Sequence, residues 1–107
     1  MATIARDLAY WQVVADCLTR FLPEAPMTAN EQVAREIEAA RRRKRPKRDL
    51  RFHTDAIYTA VELAYPELDV PDCNRLGNAL LAQRQTEYNE IIAEYFESGA
   101  AHDRHAA

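Results

Sequence analysis

The sequence predicts a single all-α domain, a helical bundle of about four helices with a long C-terminal helix. A chain of 107 residues has the length of one domain and can bury enough surface to fold without disulfides or metals. Glycine occurs only twice, alanine is abundant and β-branched residues are few, which favours helix over sheet. Apolar residues recur at helical spacing in stretches that prolines separate. We expect the bundle to cover residues 1–98 and residues 99–107 to form a disordered tail.

The first predicted helix covers residues 3–22. Thr3 is its candidate N-cap, and Pro23 ends it because proline cannot continue the hydrogen-bond ladder. One face carries apolar side chains at helical spacing, and a second set widens this face. The two sets are Ile4, Leu8, Trp11, Ala15, Leu18 and Leu22, then Tyr10, Val14, Cys17 and Phe21. A face this wide predicts contact with more than one neighbouring helix.

The second predicted helix runs from about Ala29 to about Arg45. Thr28 and Glu31 form a capping-box pattern, in which Thr28 is the N-cap. The apolar stripe of this helix is narrow, which predicts a position on the surface of the bundle. The stripe consists of Val33, Ile37 and Ala40, with Ala34 beside it.

A third, shorter helix of about twelve residues is predicted next, with Thr54 as its N-cap and Pro66 at its end. Its inward residues are Ile57, Val61, Ala64 and Tyr65.

The fourth predicted helix starts at Asp69 and Pro71, because aspartate and proline are favoured at the first positions of a helix. Neither proline nor glycine marks a break near Thr86. We therefore favour one long helix to about Glu97, with a break near Thr86 as the alternative.

Cys17 and Cys73 lie far apart in sequence, each among apolar residues of a predicted helix. We interpret them as two buried free thiols, since no secretory signal favours a disulfide.

The first helix carries charges such as Asp7 and Asp16, so it is not a membrane span. A cytoplasmic protein without membrane contact is expected. Twelve arginines against two lysines, with abundant alanine, favour a bacterial or phage source.

The most distinctive feature is the basic segment, which we define as residues 41–51. It holds eight of the fourteen basic residues and one carboxylate, Asp49, so its net charge is +7. The other six basic residues and sixteen carboxylates give the rest of the chain a net charge of −10. A like-charge block of this length is typical of a surface that meets an anionic partner. Its basic residues are Arg41, Arg42, Arg43, Lys44, Arg45, Lys47, Arg48 and Arg51.

Two kinds of partner fit the basic segment. Basic side chains that neutralise phosphates release counterions, which gives sequence-independent affinity for nucleic acid, and guanidinium groups match phosphate geometry. An acidic protein surface would bind the same basic side chains through ion pairs. The alternative without a partner is a solvated helix C-terminus, which explains one or two cations but not five in a row.

A helix-turn-helix around Pro66 is a second candidate for nucleic-acid binding. Its second helix would present Asn74, Arg75 and Asn78, side-chain types that bind base edges. The long connection disfavours this hypothesis, and so does Asp72, which would meet phosphate. The alternative is a polar outer face.

The last helix carries two opposed faces. Tyr88, Tyr95 and Phe96 form an aromatic face that would either pack in the core or bind a protein partner. The other face is an acidic row at spacings of three and four: Glu87, Glu90, Glu94 and Glu97. This row is a solvated surface or neutralises the basic segment, within the molecule or across a homodimer.

No catalytic constellation, cofactor site or metal site is predicted. The chain has no glycine-rich phosphate loop, and Ser98 is its only serine. His102 and His105 have metal-ligand spacing but lie on the predicted tail without a third ligand.

We therefore favour a small non-enzymatic accessory or regulatory protein that binds nucleic acid through the basic segment. The alternative is a protein–protein interaction module, such as an inhibitor, an adaptor or an antitoxin-like protein. It would use the basic segment or the aromatic face of the last helix.

Overall fold

The computed structural model describes residues 6–43 and 55–97, and these residues form the predicted all-α fold with a long C-terminal helix. The elements in order are α1 (Arg6–Phe21), α2 (Met27–Arg42), α3 (Ala56–Ala64), α4 (Val70–Ile92) and a π-helical turn (Ala93–Glu97). Within the described ranges, no helix combines the length and the apolar character needed to cross a membrane.

Helix α1 is the centre of the bundle and packs against α2, α3, α4 and the π-helical turn. This confirms the prediction that its wide apolar face contacts more than one neighbour. Leu8 and Ala15 of that face are half-buried, and Val13, which lies outside the predicted face, is fully buried. The buried members of the predicted face are Tyr10, Trp11, Val14, Cys17, Leu18, Phe21 and Leu22. Helix α1 contributes more residues to the buried core than any other described helix.

Helices α2 and α3 both run antiparallel to α1. Arg43, at the end of α2, contacts Asp7 in the first turn of α1. The Tyr10 hydroxyl hydrogen-bonds Thr59 of α3, whereas Asp55, before α3, lies close enough to Cys17 for its charge to act on the thiol. Later residues of α1 thus meet earlier residues of α3.

The capping box predicted at the start of α2 is wrong. The helix begins at Met27, its N-cap is Pro26, and no side chain caps it. Pro26 has φ of −65°, and its carbonyl accepts a hydrogen bond from the Ala29 N–H at 3.0 Å. This turn already starts the helix, so Thr28 lies inside it and is exposed, like Glu31.

The stripe of α2 is narrow, as predicted, and most of the helix surface is exposed. Val33 and Ala40 are buried and Ile37 is half-buried. Ala34, which we expected beside the stripe, is exposed because it follows Val33 and lies about 100° further around the axis. The helix ends at Arg42 rather than Arg45.

Helix α3 has nine residues rather than about twelve. Its N-cap is Asp55 instead of Thr54, which lies outside the described residues, and no local side chain caps it. A residue distant in sequence supplies the cap: the Tyr88 hydroxyl oxygen accepts a hydrogen bond from the Ala56 N–H at 3.0 Å. The same hydroxyl donates to Asp55 Oδ1 at 3.4 Å.

The start of α4 is as predicted, since the Asp69 side chain accepts a hydrogen bond from the Asp72 N–H at 3.0 Å. Helix α4 continues to Ile92, but it is kinked at Arg84, where φ is −126° and ψ is 29°. The uninterrupted helix that we favoured is therefore wrong in this detail, and the kink lies two residues before Thr86. Neither proline nor glycine marks it in the sequence.

Tertiary contacts hold Arg84 at the kink. Its guanidinium lies over the Phe21 ring of α1, 4.7 Å from the centroid. It also donates two hydrogen bonds to the Glu87 carboxylate, at 2.6 and 2.8 Å. Through these bonds Arg84 keeps the pKa of the Glu87 carboxyl below its ordinary value. The kink thus accompanies a side chain that is bound to α1 and to the next turn of α4.

Gly77 brings the first half of α4 close to α3. A Cβ atom at this position would lie 2.6 Å from Cε1 of Tyr58, so only glycine leaves room for the ring. The Tyr58 hydroxyl donates a hydrogen bond to the neighbouring Asn78.

Both cysteines are buried free thiols, as predicted. Burial, with a smaller contribution from the charge of Asp16, raises the pKa of the Cys17 thiol to about 12. Burial also raises the pKa of Cys73. Neither thiol forms the reactive thiolate readily at neutral pH.

We predict that Tyr88→Phe lowers the free energy of unfolding by about 1–3 kcal/mol, because the buried Ala56 N–H loses its acceptor. Urea denaturation measures this change. The control is Tyr65→Phe, since the half-buried Tyr65 hydroxyl makes no hydrogen bond among the described residues. Equal losses in the two variants would contradict the cap.

We also predict that stability falls as pH rises above about 9. Since the Cys17 pKa is about 12 in the fold, against an ordinary 9.0, the unfolded chain binds fewer protons in this range. Urea denaturation at several values from about pH 8 to about pH 10 should show this slope in wild type and a smaller one in Cys17→Ala. If the free energy of unfolding changed with pH by the same slope in both proteins, Cys17 would not be the cause of the pH dependence.

Candidate nucleic-acid interface

The structure describes the first three residues of the basic segment, Arg41, Arg42 and Arg43. The other predicted contacts lie outside the described residues: Lys44, Arg45, Lys47, Arg48 and Arg51.

Arg41 and Arg42 occupy the last turn of α2 and are both exposed. Arg42 lies 3.4 Å from Glu38, one turn earlier, and the two side chains are 79% and 55% exposed. A pair this accessible is worth only about 0.5 kcal/mol and does not compete strongly with a phosphate. The two arginines therefore remain accessible to an anionic ligand.

Arg43 differs from its two neighbours. Its backbone is extended, with φ of −72° and ψ of 136°, and its N–H closes the helix on the Ala40 carbonyl at 3.3 Å. Its guanidinium lies 2.6 Å from Oδ2 of Asp7, a carboxylate with no exposed surface. Oδ1 of Asp7 accepts a hydrogen bond from the Leu8 N–H at 3.0 Å. Arg43 is therefore bound within the fold.

Sequence reasoning missed this pair. In the sequence, Asp7 is only a charge that excludes a membrane span, and Arg43 is indistinguishable by type from the arginines around it. The pair joins residues 36 positions apart, and no periodic pattern links them. The one local signal is the position of Asp7 in the first turn of a helix, where a carboxylate is favoured in any case.

Arg43 and Asp55, the described residues on either side of positions 44–54, are held at different levels of α1. Arg43 binds Asp7, and Asp55 lies near Cys17 and Tyr88. Since α1 rises about 1.5 Å per residue, the ten residues from Asp7 to Cys17 correspond to about 15 Å.

The three candidate base-reading residues have different surroundings. Asn78 accepts the hydrogen bond of Tyr58 from α3. Arg75 lies 3.0 Å from Asp72 on the same helix, and Asn74 is exposed. A duplex approaching this face would therefore meet the Asp72 carboxylate and an asparagine that is already bound.

The aromatic residues of the last helix lie largely in the core. Tyr88 is buried, while Tyr95 and Phe96 are half-buried and packed against the core. The Tyr95 hydroxyl donates to Asp16 Oδ2 at 3.1 Å. Burial and the Asp16 charge together raise the pKa of Tyr95 to about 12. These contacts belong to the interior of the bundle and leave Tyr88 no exposed surface for a partner.

The acidic row of the last helix forms no ion pair with Arg41, Arg42 or Arg43, the described arginines of the basic segment. Glu87 is bound by Arg84, and Glu90 and Glu94 are exposed. Arg42 instead pairs with Glu38 of α2, and Arg43 pairs with Asp7 of α1. The side chain of Glu97 lies outside the described part of the chain.

Within residues 6–43 and 55–97, no group of three or more side chains has the arrangement of a metal site. Comparison of the chain with protein-family models, with curated proteins and with solved structures finds no match.

We predict that Asp7 and Arg43 are energetically coupled. In a double-mutant cycle of Asp7→Asn and Arg43→Gln, the double variant should be more stable than the sum of the single losses implies, by about 1–3 kcal/mol. Urea denaturation provides the four free energies. The matched cycle of Glu38→Gln and Arg42→Gln tests an exposed pair, for which we expect about 0.5 kcal/mol or less. Equal coupling in the two cycles would show that burial does not strengthen the Asp7 pair.

Proposed function

We propose that this protein is a small non-enzymatic accessory protein of the cytoplasm that binds nucleic acid through the basic segment. The observation that carries this proposal is the exposure of Arg41 and Arg42 at the start of a segment with a net charge of +7. Each guanidinium can donate two parallel hydrogen bonds to one phosphate. The two exposed arginines in the last turn of α2 thus place positive charge on the outside of the bundle.

The charge distribution limits the contact to one region. The rest of the chain carries a net charge of −10, which repels a polyanion. A duplex or single strand would therefore touch the protein at the basic segment and leave the remaining surface free. Binding of this kind depends on counterion release and has little sequence preference.

Arg43 has a positioning role in this proposal. Its guanidinium is bound to Asp7 and is only 26% exposed, so it is less available to a phosphate than its neighbours. The contact instead fixes where the chain leaves α2. We therefore count Arg41, Arg42 and the basic residues after Arg43 as the phosphate contacts.

The competing proposal, a protein partner on the aromatic face of the last helix, has lost support because Tyr88 is buried and Tyr95 is bound to Asp16. An acidic protein surface remains an alternative partner for the basic segment, and binding to arbitrary nucleic acid distinguishes the two.

The test is fluorescence anisotropy with random duplex DNA, single-stranded DNA and hairpin RNA over a range of salt concentrations. Wild type should bind with a steep salt dependence. Arg41→Gln combined with Arg42→Gln should reduce the slope of log affinity against log salt for duplex DNA by about 2, since two phosphate contacts are lost. The matched control removes two cations outside the basic segment and the α2 helix, with Arg20→Gln and Arg104→Gln.

Equal effects of the two double variants would show that net charge, and not the position of the arginines, determines binding. If wild type binds none of the three probes at low salt, the proposal is wrong. An acidic protein surface is then the candidate partner of the basic segment.

A further inference from the structure

Four charged residues form a row along the side of α2 that faces away from α1. Positions separated by four, three and four residues share one face of a helix, because successive residues are about 100° apart. The fully buried residues of α2 lie on the opposite face. All four members of the row are exposed: Glu31, Arg35, Glu38 and Arg42. We name them the α2 charge row.

The sign of the charge alternates along this row, and its centre lies between Glu36 and Ile37. A two-fold axis through this centre would place a second α2 antiparallel to the first. Glu31 would then lie opposite Arg42 of the second copy, and Arg35 opposite Glu38. By symmetry each pair occurs twice, so one interface contains four ion pairs. A parallel two-fold arrangement would place like charges opposite each other.

Within one chain, the charges of the row are only partly paired among the described residues. Glu38 and Arg42 lie 3.4 Å apart, but Glu31 and Arg35 make no ion pair among the described residues. Two small residues flank the row, the exposed Ala34 and the half-buried Ala39. They are also related by the proposed axis, and their small side chains allow two helix backbones to approach closely.

We propose that the α2 charge row is the interface of a homodimer, in which a second copy of this chain binds with its α2 antiparallel. Charge complementarity identifies the partner as a second copy of the chain. An identical row that runs in the opposite direction places an opposite charge next to each charge of the first row. The contact of one helix pair lies at the small end of interface sizes, and its ion pairs are exposed. The dimer is therefore weak and sensitive to salt. It does not depend on nucleic-acid binding.

Sedimentation equilibrium on nuclease-treated protein tests this proposal. From about 10 µM to about 1 mM protein in about 20 mM salt, the average mass should rise from that of a monomer towards twice that value. In about 500 mM salt, where the Debye length is only about 4 Å, the mass should stay close to that of a monomer.

Charge reversal identifies the interface. Arg35→Glu and Glu38→Arg, made singly, each place like charges across the axis, and each should weaken the dimer by about tenfold or more. The combination of Arg35→Glu with Glu38→Arg restores opposite charges across the axis and keeps the net charge of wild type. It should restore dimerisation.

The double reversal also separates the proposal from an effect within one helix. It places Glu31 next to a glutamate and Arg42 next to an arginine at i, i+4 spacing, which destabilises α2 itself. If the row only stabilised its own helix, this variant would be no better than the single reversals, because each of the three variants has two like-charge pairs and one opposite-charge pair at spacings of three and four. Circular dichroism verifies that each variant is folded, and Arg20→Glu, a reversal outside the row, controls for charge alone.

The proposal is overturned if wild type remains monomeric up to about 1 mM at low salt, or if the single reversals leave its mass unchanged. It is also overturned if the double reversal stays as monomeric as the single variants.

Discussion

The burial of the Asp7 carboxylate is the constraint on which the arrangement of the first two helices depends. A carboxylate removed from water costs several kcal/mol unless cations and hydrogen-bond donors compensate it. Arg43 provides the guanidinium, and it can reach Asp7 only because α2 ends at Arg42 and the backbone becomes extended. The end of α2 thus coincides with an ion pair to α1, four residues before Pro46.

The same contact divides a uniform run of arginines into residues with different roles. Arg41 and Arg42 extend into solvent from the last turn of the helix, whereas Arg43 is bound to the interior. Residues of one type in direct succession thus differ because the helix ends between the second and the third. In the proposed dimer Arg42 would also contact the second copy, so dimerisation and phosphate binding would share this side chain. The two activities are then expected to influence each other.

Periodicity predicted most of the fold because burial of apolar faces determines the helices. The wide face of α1 and the start of α4 at Asp69 were both evident from local pattern. Features that depend on distant contacts were not. The cap of α3 comes from Tyr88, and the kink at Arg84 accompanies contacts with Phe21 and Glu87. For the candidate site, sequence identified the concentration of charge but could not distinguish Arg43 from its neighbours, since its partner is 36 residues away.

The burial of Cys17 and Cys73 has a practical consequence for work on this protein. Thiol-specific reagents react with the exposed thiolate, and both native thiols are buried with raised pKa values. A cysteine introduced on the surface would therefore be the preferred site of labelling, without replacement of the native pair. A fluorophore or spin label at Ala34 would report on the outward face of α2 in a chain whose core is unaltered.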